Sequence, residues 1–198
     1  VRLLFLHGWG FDAAIWDRVR AALAPIETVA WDRGYFGSPV RSEVDAPFIA
    51  VGHSLGSLIL AADPPPGCSG LIAINGFDCF AGEGLVATRT LDRMRNRFTS
   101  APEAVLADFR RRAGGQNHAA PIDQARLARD LDRLANDDAR GKAQPRLVLH
   151  GGEDPILPPA MRDAVFPGAP RVTLAAGGHL LPLSHPEFCA GHIRAVLA

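Results

Sequence analysis

The chain of 198 residues carries 21 Lys and Arg against 21 Asp and Glu, so its formal net charge is zero. Hydrophobic residues make up 47% and charged residues 21%, the balance of one globular domain with a sizeable core. A neutral chain has no global field to hold nucleic acid or an anionic membrane, and no apolar run reaches the roughly 18 residues that span a bilayer, so neither partner is expected.

Apolar runs alternate with amphipathic segments along the chain. Arg2–Leu6 reads as a strand ended by His7-Gly8-Trp9-Gly10, and Asp12 to Leu23 as a helix with Ile15, Trp16, Val19 and Leu23 at three-to-four spacing. Thr28–Trp31 is a second strand, leading into a Gly-rich loop from Asp32 to Ser38. Phe48–Val51 is a third, ending at Gly52-His53-Ser54-Leu55-Gly56. Leu71–Ile74, Arg146–His150 and Arg171–Leu174 follow, and a last helix runs from about Pro186 to Leu197. Continuous apolar strands that each lead into a helix predict an α/β fold: a mostly parallel sheet with helices on both faces. Between Asp78 and Lys142 the apolar spacing is helical throughout, which predicts a core of residues 1–77 and 143–198 with a helical cap inserted at 78–142. Cys68, Cys79 and Cys189 are sparse and odd in number, which argues against a disulfide framework and for a cytoplasmic protein.

The residues that carry chemistry fall at the carboxyl ends of the predicted strands, where open α/β sheets bind ligands. Ser54 lies in a GxSxG motif between a strand and a helix, the setting of a nucleophile elbow. With 20 Gly and 7 Ser in the chain, about 0.07 such matches arise by chance. A serine nucleophile needs a base and an orienting acid downstream. Of the five later histidines, His118 lies in the cap beside Gln116 and Asn117, and His150 inside a strand as a satisfied core residue. His185 and His192 belong to the last helix and its approach. His179, after Gly177-Gly178, is the expected base. Asp154 is the expected acid, with Glu153 and Asp78 as rivals. The oxyanion donors are expected to be the N–H of Leu55 and that of Trp9, with His7 bracing its loop. No metal or organic cofactor is required by this chemistry.

Together these residues resemble the α/β-hydrolase superfamily. The matched anchors are His7-Gly8-Trp9-Gly10, Asp32 with Gly34 and Gly37-Ser38, the Ser54 elbow, Asp154 with Pro158, and His179. Within it, Leu6–Phe11 and His179–Cys189 resemble the pimeloyl-acyl-carrier-protein methyl ester esterases of biotin synthesis. The resemblance implies a catalytic triad of Ser54, Asp154 and His179, oxyanion and substrate contacts at Trp9 and Leu55, and an acyl contact at Phe109. It implies a serine carboxylic-ester hydrolase acting on a small ester, with carrier-linked pimeloyl methyl ester as the specific expectation. A general carboxylesterase or thioesterase is the alternative, and a non-catalytic binding module a distant one. Enzymes of the fold that attack through Asp are disfavoured by Ser54. The chain departs from the family in leaving little room for a helix between Ser38 and Phe48, and in breaking the helix after the elbow at Asp63-Pro64-Pro65-Pro66. Arginines crowd the cap (Arg89, Arg93, Arg95, Arg97, then Arg110, Arg111 and Arg112). A charge run of this kind reads first as a solvated helical face, and the sharper alternative is that Arg110, Arg111 and Arg112 form a docking surface for an acidic carrier protein. A monomer is expected.

Overall fold

The computed structural model describes residues 1–117 and 121–198. Six strands form one sheet: β1 (Arg2–Leu6), β2 (Thr28–Trp31), β3 (Phe48–His53), β4 (Cys68–Ile74), β5 (Leu147–Gly151) and β6 (Arg171–Leu174). Their order is β2-β1-β3-β4-β5-β6, and every pairing is parallel. The central strand β3 is buried at all six positions, whereas edge strand β2 is half-buried at all four. That gradient explains why β3 reads as an unbroken apolar run.

The helices are α1 (Asp17–Ala22), α2 (Leu55–Ala62), α3 (Thr88–Ser100), α4 (Pro102–Ala113), α5 (Gln124–Asn136), α6 (Pro159–Ala164), α7 (Leu181–Ser184) and α8 (Pro186–Leu197). The chain moves outward from β1 to β2, then jumps back to β3 and proceeds the other way. Right-handed crossovers therefore put α1 on one face of the sheet and α2 and α6 on the other, and α8 packs against α1. The helix predicted over Asp12–Leu23 is split. The Asp12 carboxylate accepts the Ala14 N–H and caps a 3-10 turn at Ala13–Trp16, after which α1 begins. The connection from β2 to β3 holds no helix among its described residues, as the short stretch between Ser38 and Phe48 suggested.

The described residues between β4 and β5 form α3, α4 and α5, with only isolated bridges besides. Leu127, Leu131 and Leu134 make the buried stripe of α5, each side chain contributing about 1.5–3 kcal/mol by burial. The segment leaves and rejoins the sheet at one place: Cys79 bridges Asp138, and the Ala139 N–H donates to the Asp78 carbonyl. A buried cluster ties α5 to the loop after β2. The Asp130 carboxylate accepts from Arg33 Nε at 2.6 Å and Nη2 at 2.5 Å, and from the Tyr35 hydroxyl. Among the described residues no helix is long and apolar enough to cross a membrane.

Candidate active site

The strand order reverses between β1 and β3, and the crevice at the carboxyl ends of such strands is where α/β sheets place their sites. Ser54 follows β3 there, with φ 52° and ψ −123°, a conformation few residues other than glycine adopt. The turn is tight enough that a Cβ at Gly52 would lie 2.5 Å from the Ser57 backbone, and one at Gly56 would strike the Leu6 carbonyl. The motif's glycines are thus steric requirements of the elbow. The turn after β1 closes over the serine, since a Cβ on Gly8 would sit 2.8 Å from Ser54 Cβ.

The loop after β6 brings His179 to the elbow, and the loop after β5 brings Asp154 behind it. Ser54 Oγ lies 3.1 Å from His179 Nε2, and His179 Nδ1 lies 2.8 Å from Asp154 Oδ2. Burial alone would raise the Asp154 carboxyl, but His179 and the N–H groups of Leu157 and Ile156 outweigh it and hold it at about 2. The carboxylate can only accept, so Nδ1 of His179 carries the proton and Nε2 is left as the acceptor for the serine hydroxyl. Asp78 faces elsewhere: its Oδ2 accepts the Phe166 N–H. Glu153 is exposed.

Two polar residues that sequence reasoning missed complete this chain. Asn75, just past β4 at φ 45°, donates from Nδ2 to Asp154 Oδ2 at 2.8 Å and to the Gly178 carbonyl at 3.2 Å. His53 donates from Nε2 to the His179 carbonyl at 2.9 Å; burial, then the proximity of His179, lowers its pKa to about 3 and keeps it neutral. A position just beyond a strand end is the only sequence signal Asn75 offers.

Leu55 opens α2, where the first N–H groups of a helix have no intrahelical acceptor. The Trp9 indole is buried, donates to the Leu127 carbonyl at 2.9 Å, and packs edge-on to Phe109 with centroids 4.9 Å apart. Phe109 in turn stands edge-on to His179 at 6.4 Å, and it lines a cavity of about 480 Å³ between α3, α4 and the loop after β5. Leu85, Leu91, Met94, Val105 and Ile156 supply much of that cavity's apolar wall, and Arg93, Arg97, Arg112 and Asp108 its charged side, with Arg97 paired to Asp108. Ser54 itself is only 4% exposed.

The arginines differ from their expected common role. Arg110 is buried: its Nη1 donates to the Gly10 carbonyl at 2.5 Å, its Nε to the Gln116 carbonyl at 2.7 Å, and its guanidinium lies over the Phe11 and Phe36 rings. It cannot be a surface docking group, because it falls on the same face of α4 as Leu106 and Ala113. Arg111 is exposed but shares Asp108 with Arg97, and Arg112 donates to the Pro155 carbonyl. Arg95 is paired with Asp92 and Asp132. His150 is buried as expected, yet it is not satisfied: Nε2 lies 3.4 Å from Arg171 Nη1 and Nδ1 has no partner among the described residues. Burial and the Arg171 charge lower its pKa to about 4. His7 braces its loop, with Nδ1 2.9 Å from the Gly8 carbonyl and Nε2 accepting the Arg33 N–H. His185 contacts Ser184, and His192 packs on Phe188. His118 lies outside the described residues. Among the described residues no cluster of His, Cys, Asp and Glu forms a metal site.

The alpha/beta hydrolase family model matches residues 40–192, and the chain belongs to that family. It is 29% identical to a pimeloyl-[acyl-carrier protein] methyl ester esterase of Aromatoleum aromaticum, over 98% of this chain and 97% of that protein. A protein of the same name from Aeromonas hydrophila is 28% identical over 93% and 91%. In fold it resembles a thermophilic esterase from Thermogutta terrifontis (TM-score 0.76, 20% identity, 100% of this chain and 89% of that one). An esterase from Exiguobacterium antarcticum superposes with TM-score 0.79 at 14% identity, over 100% and 92%.

Proposed function

We propose that the chain is a serine carboxylic-ester hydrolase with Ser54 as nucleophile, His179 as base and Asp154 as orienting acid. The observation that supports this reading is the buried hydrogen-bonded chain from Ser54 Oγ through His179 to Asp154, at 3.1 and 2.8 Å. Ser54 Oγ attacks the ester carbonyl carbon while His179 Nε2 takes its proton, and Asp154 stabilises the imidazolium. The carbonyl oxygen becomes an oxyanion held by the N–H groups of Leu55 and Trp9. Collapse expels the alcohol with the proton from His179. Water, deprotonated by the same nitrogen, then releases the acid from the acyl-enzyme.

The segment 78–142 acts in this reading as the cap that selects the acyl group. The cavity beside Phe109, about 480 Å³ with apolar walls, suits a medium-length acyl chain, and Arg93 at its edge suits an anionic far end. A pimeloyl methyl ester on acyl-carrier protein is the specific substrate this favours, in keeping with the names of the relatives. A general small-ester carboxylesterase is the second reading. It is favoured by the burial of Arg110 and the capture of Arg97 and Arg111 by Asp108, which shrink the surface a carrier could use.

The test is cleavage of monomethyl pimelate on acyl-carrier protein beside the same ester free in solution, with Ser54→Ala as control. A carrier preference of about a hundredfold, worth about 2.7 kcal/mol, supports the carrier-linked reading. Equal turnover supports the general esterase. No cleavage of either, together with no labelling by a serine-reactive phosphonate, overturns the esterase reading.

A further inference from the structure

The turn that would carry the second oxyanion donor is poorly held by its own residues. His7-Gly8-Trp9-Gly10 has two glycines, one at φ 73°, so its backbone has little intrinsic preference for one shape. The β1 side contributes one brace at each end of His7, through the Gly8 carbonyl and the Arg33 N–H. The rest of the turn is tethered from the helical segment. The Trp9 indole donates to Leu127 of α5, and Gly10 accepts from Arg110 of α4.

We propose that Arg110 is a positioning residue for the oxyanion turn: by holding the Gly10 carbonyl it fixes the peptide of Trp9 over Ser54, so that α4 takes part in stabilising the tetrahedral intermediate as well as in forming the acyl cavity. The inference rests on the serine-esterase reading above. Arginine suits this task better than any other side chain. Its rigid fork presents donors on two nitrogens to two carbonyls, Gly10 and Gln116, and its flat face stacks on Phe11 at 4.8 Å and on Phe36 at 5.4 Å. A buried cation whose hydrogen bonds go to main-chain carbonyls is a costly device, and here it sits where preorganised N–H donors matter most. The neighbouring side chain, Phe109, faces His179 and the cavity, so one turn of α4 touches the acyl cavity, the base and the oxyanion turn.

The experiment compares wild type with Arg110→Met, which keeps the stem but loses both donor nitrogens, and with Arg110→Lys, which keeps one donor nitrogen in place of two. Three quantities are read: kcat and KM for a small ester, the affinity of an alkyl boronic acid that forms a tetrahedral adduct on serine, and folding by circular dichroism. Arg110→Met is expected to lower kcat by about tenfold to a hundredfold with KM nearly unchanged, and to weaken the boronic acid by the same factor. Arg110→Lys should recover part of both. A merely structural role would lower the folded fraction and leave the boronic acid affinity of the folded protein intact, which overturns the inference; so does a change confined to KM. If Arg110→Met does not fold, the same comparison is read on Arg110→Lys, where a parallel loss supports the inference and an unchanged boronic acid affinity overturns it. Wild type that neither cleaves ester nor binds the boronic acid defeats the esterase reading instead.

Discussion

Asn75 and His179 donate to the same oxygen of Asp154, each at 2.8 Å, while the other oxygen takes two main-chain N–H groups. The carboxylate therefore has no freedom to turn, and the imidazole inherits that rigidity. Asn75→Gly, which tolerates the φ of 45°, removes one donor without straining the backbone. It should lower kcat about tenfold. Asn75→Asp should do more damage, because a second carboxylate beside Asp154 raises its pKa and competes for the proton on His179. Steady-state kinetics on a chromogenic ester separates the two.

Asp154→Asn should lower kcat on the order of 10⁴-fold with the fold intact, as removal of the orienting acid does in serine proteases. Asp78→Asn is the contrast. Its carboxylate accepts the Phe166 N–H and has no path to His179, so it should leave kcat unchanged. Equal losses in the two variants would contradict the assignment of the acid.

Acid should destabilise the protein in two stages. His150 and His53 are buried neutral with pKa values near 4 and 3, against 6.5 for a free imidazole. As pH falls below 6.5 the unfolded chain takes up their protons and the folded chain does not, so stability declines down to about pH 4 and 3 respectively. Asp154, held at about 2 against 3.8, adds a further loss as pH falls from about 4 to 2. Urea midpoints between pH 7.5 and 4.5 should fall in wild type and fall less steeply in His150→Gln. An identical slope in that variant would remove His150 from the account.

Asp130 is buried and binds Arg33 and Tyr35 together. Asp130→Ala strands the half-buried Arg33 cation and should cost about 3–5 kcal/mol, read from the urea midpoint. The loss should exceed that of Asp108→Ala, whose pairs with Arg97 and Arg111 are exposed and weakened by solvent screening.

Much of the framework was legible in the sequence because it is periodic or motif-bound. The strands around Ser54, the elbow glycines and the order of Ser54, Asp154 and His179 all leave marks of spacing or strand context. Asn75 and His53 leave only a place at a strand end, because a polar residue there acquires its partner only when β3, β4, β5 and β6 lie side by side. Arg110 reads as a surface charge because three consecutive arginines look alike in composition. Helical spacing distinguishes them: Arg110 follows Leu106 by four and precedes Ala113 by three, which puts it on the buried stripe of α4. His150 reads as buried from its place inside a strand, but its unpartnered Nδ1 depends on the packing of β6 and Arg171, which no local pattern encodes.

The bridge between Cys79 and Asp138 has a consequence for how such a protein can diversify. Because the three helices between β4 and β5 depart and return at adjacent points, their length is decoupled from the register of the strands on either side. A graft of different size could be spliced in at that seam while Ser54, Asp154 and His179 kept their distances. On the serine-esterase reading, the chemistry and the choice of what undergoes it can thus be inherited as separate parts, provided that a replacement supplies the tethers again: Trp9 to Leu127, Arg110 to Gly10, and Asp130 to Arg33 and Tyr35.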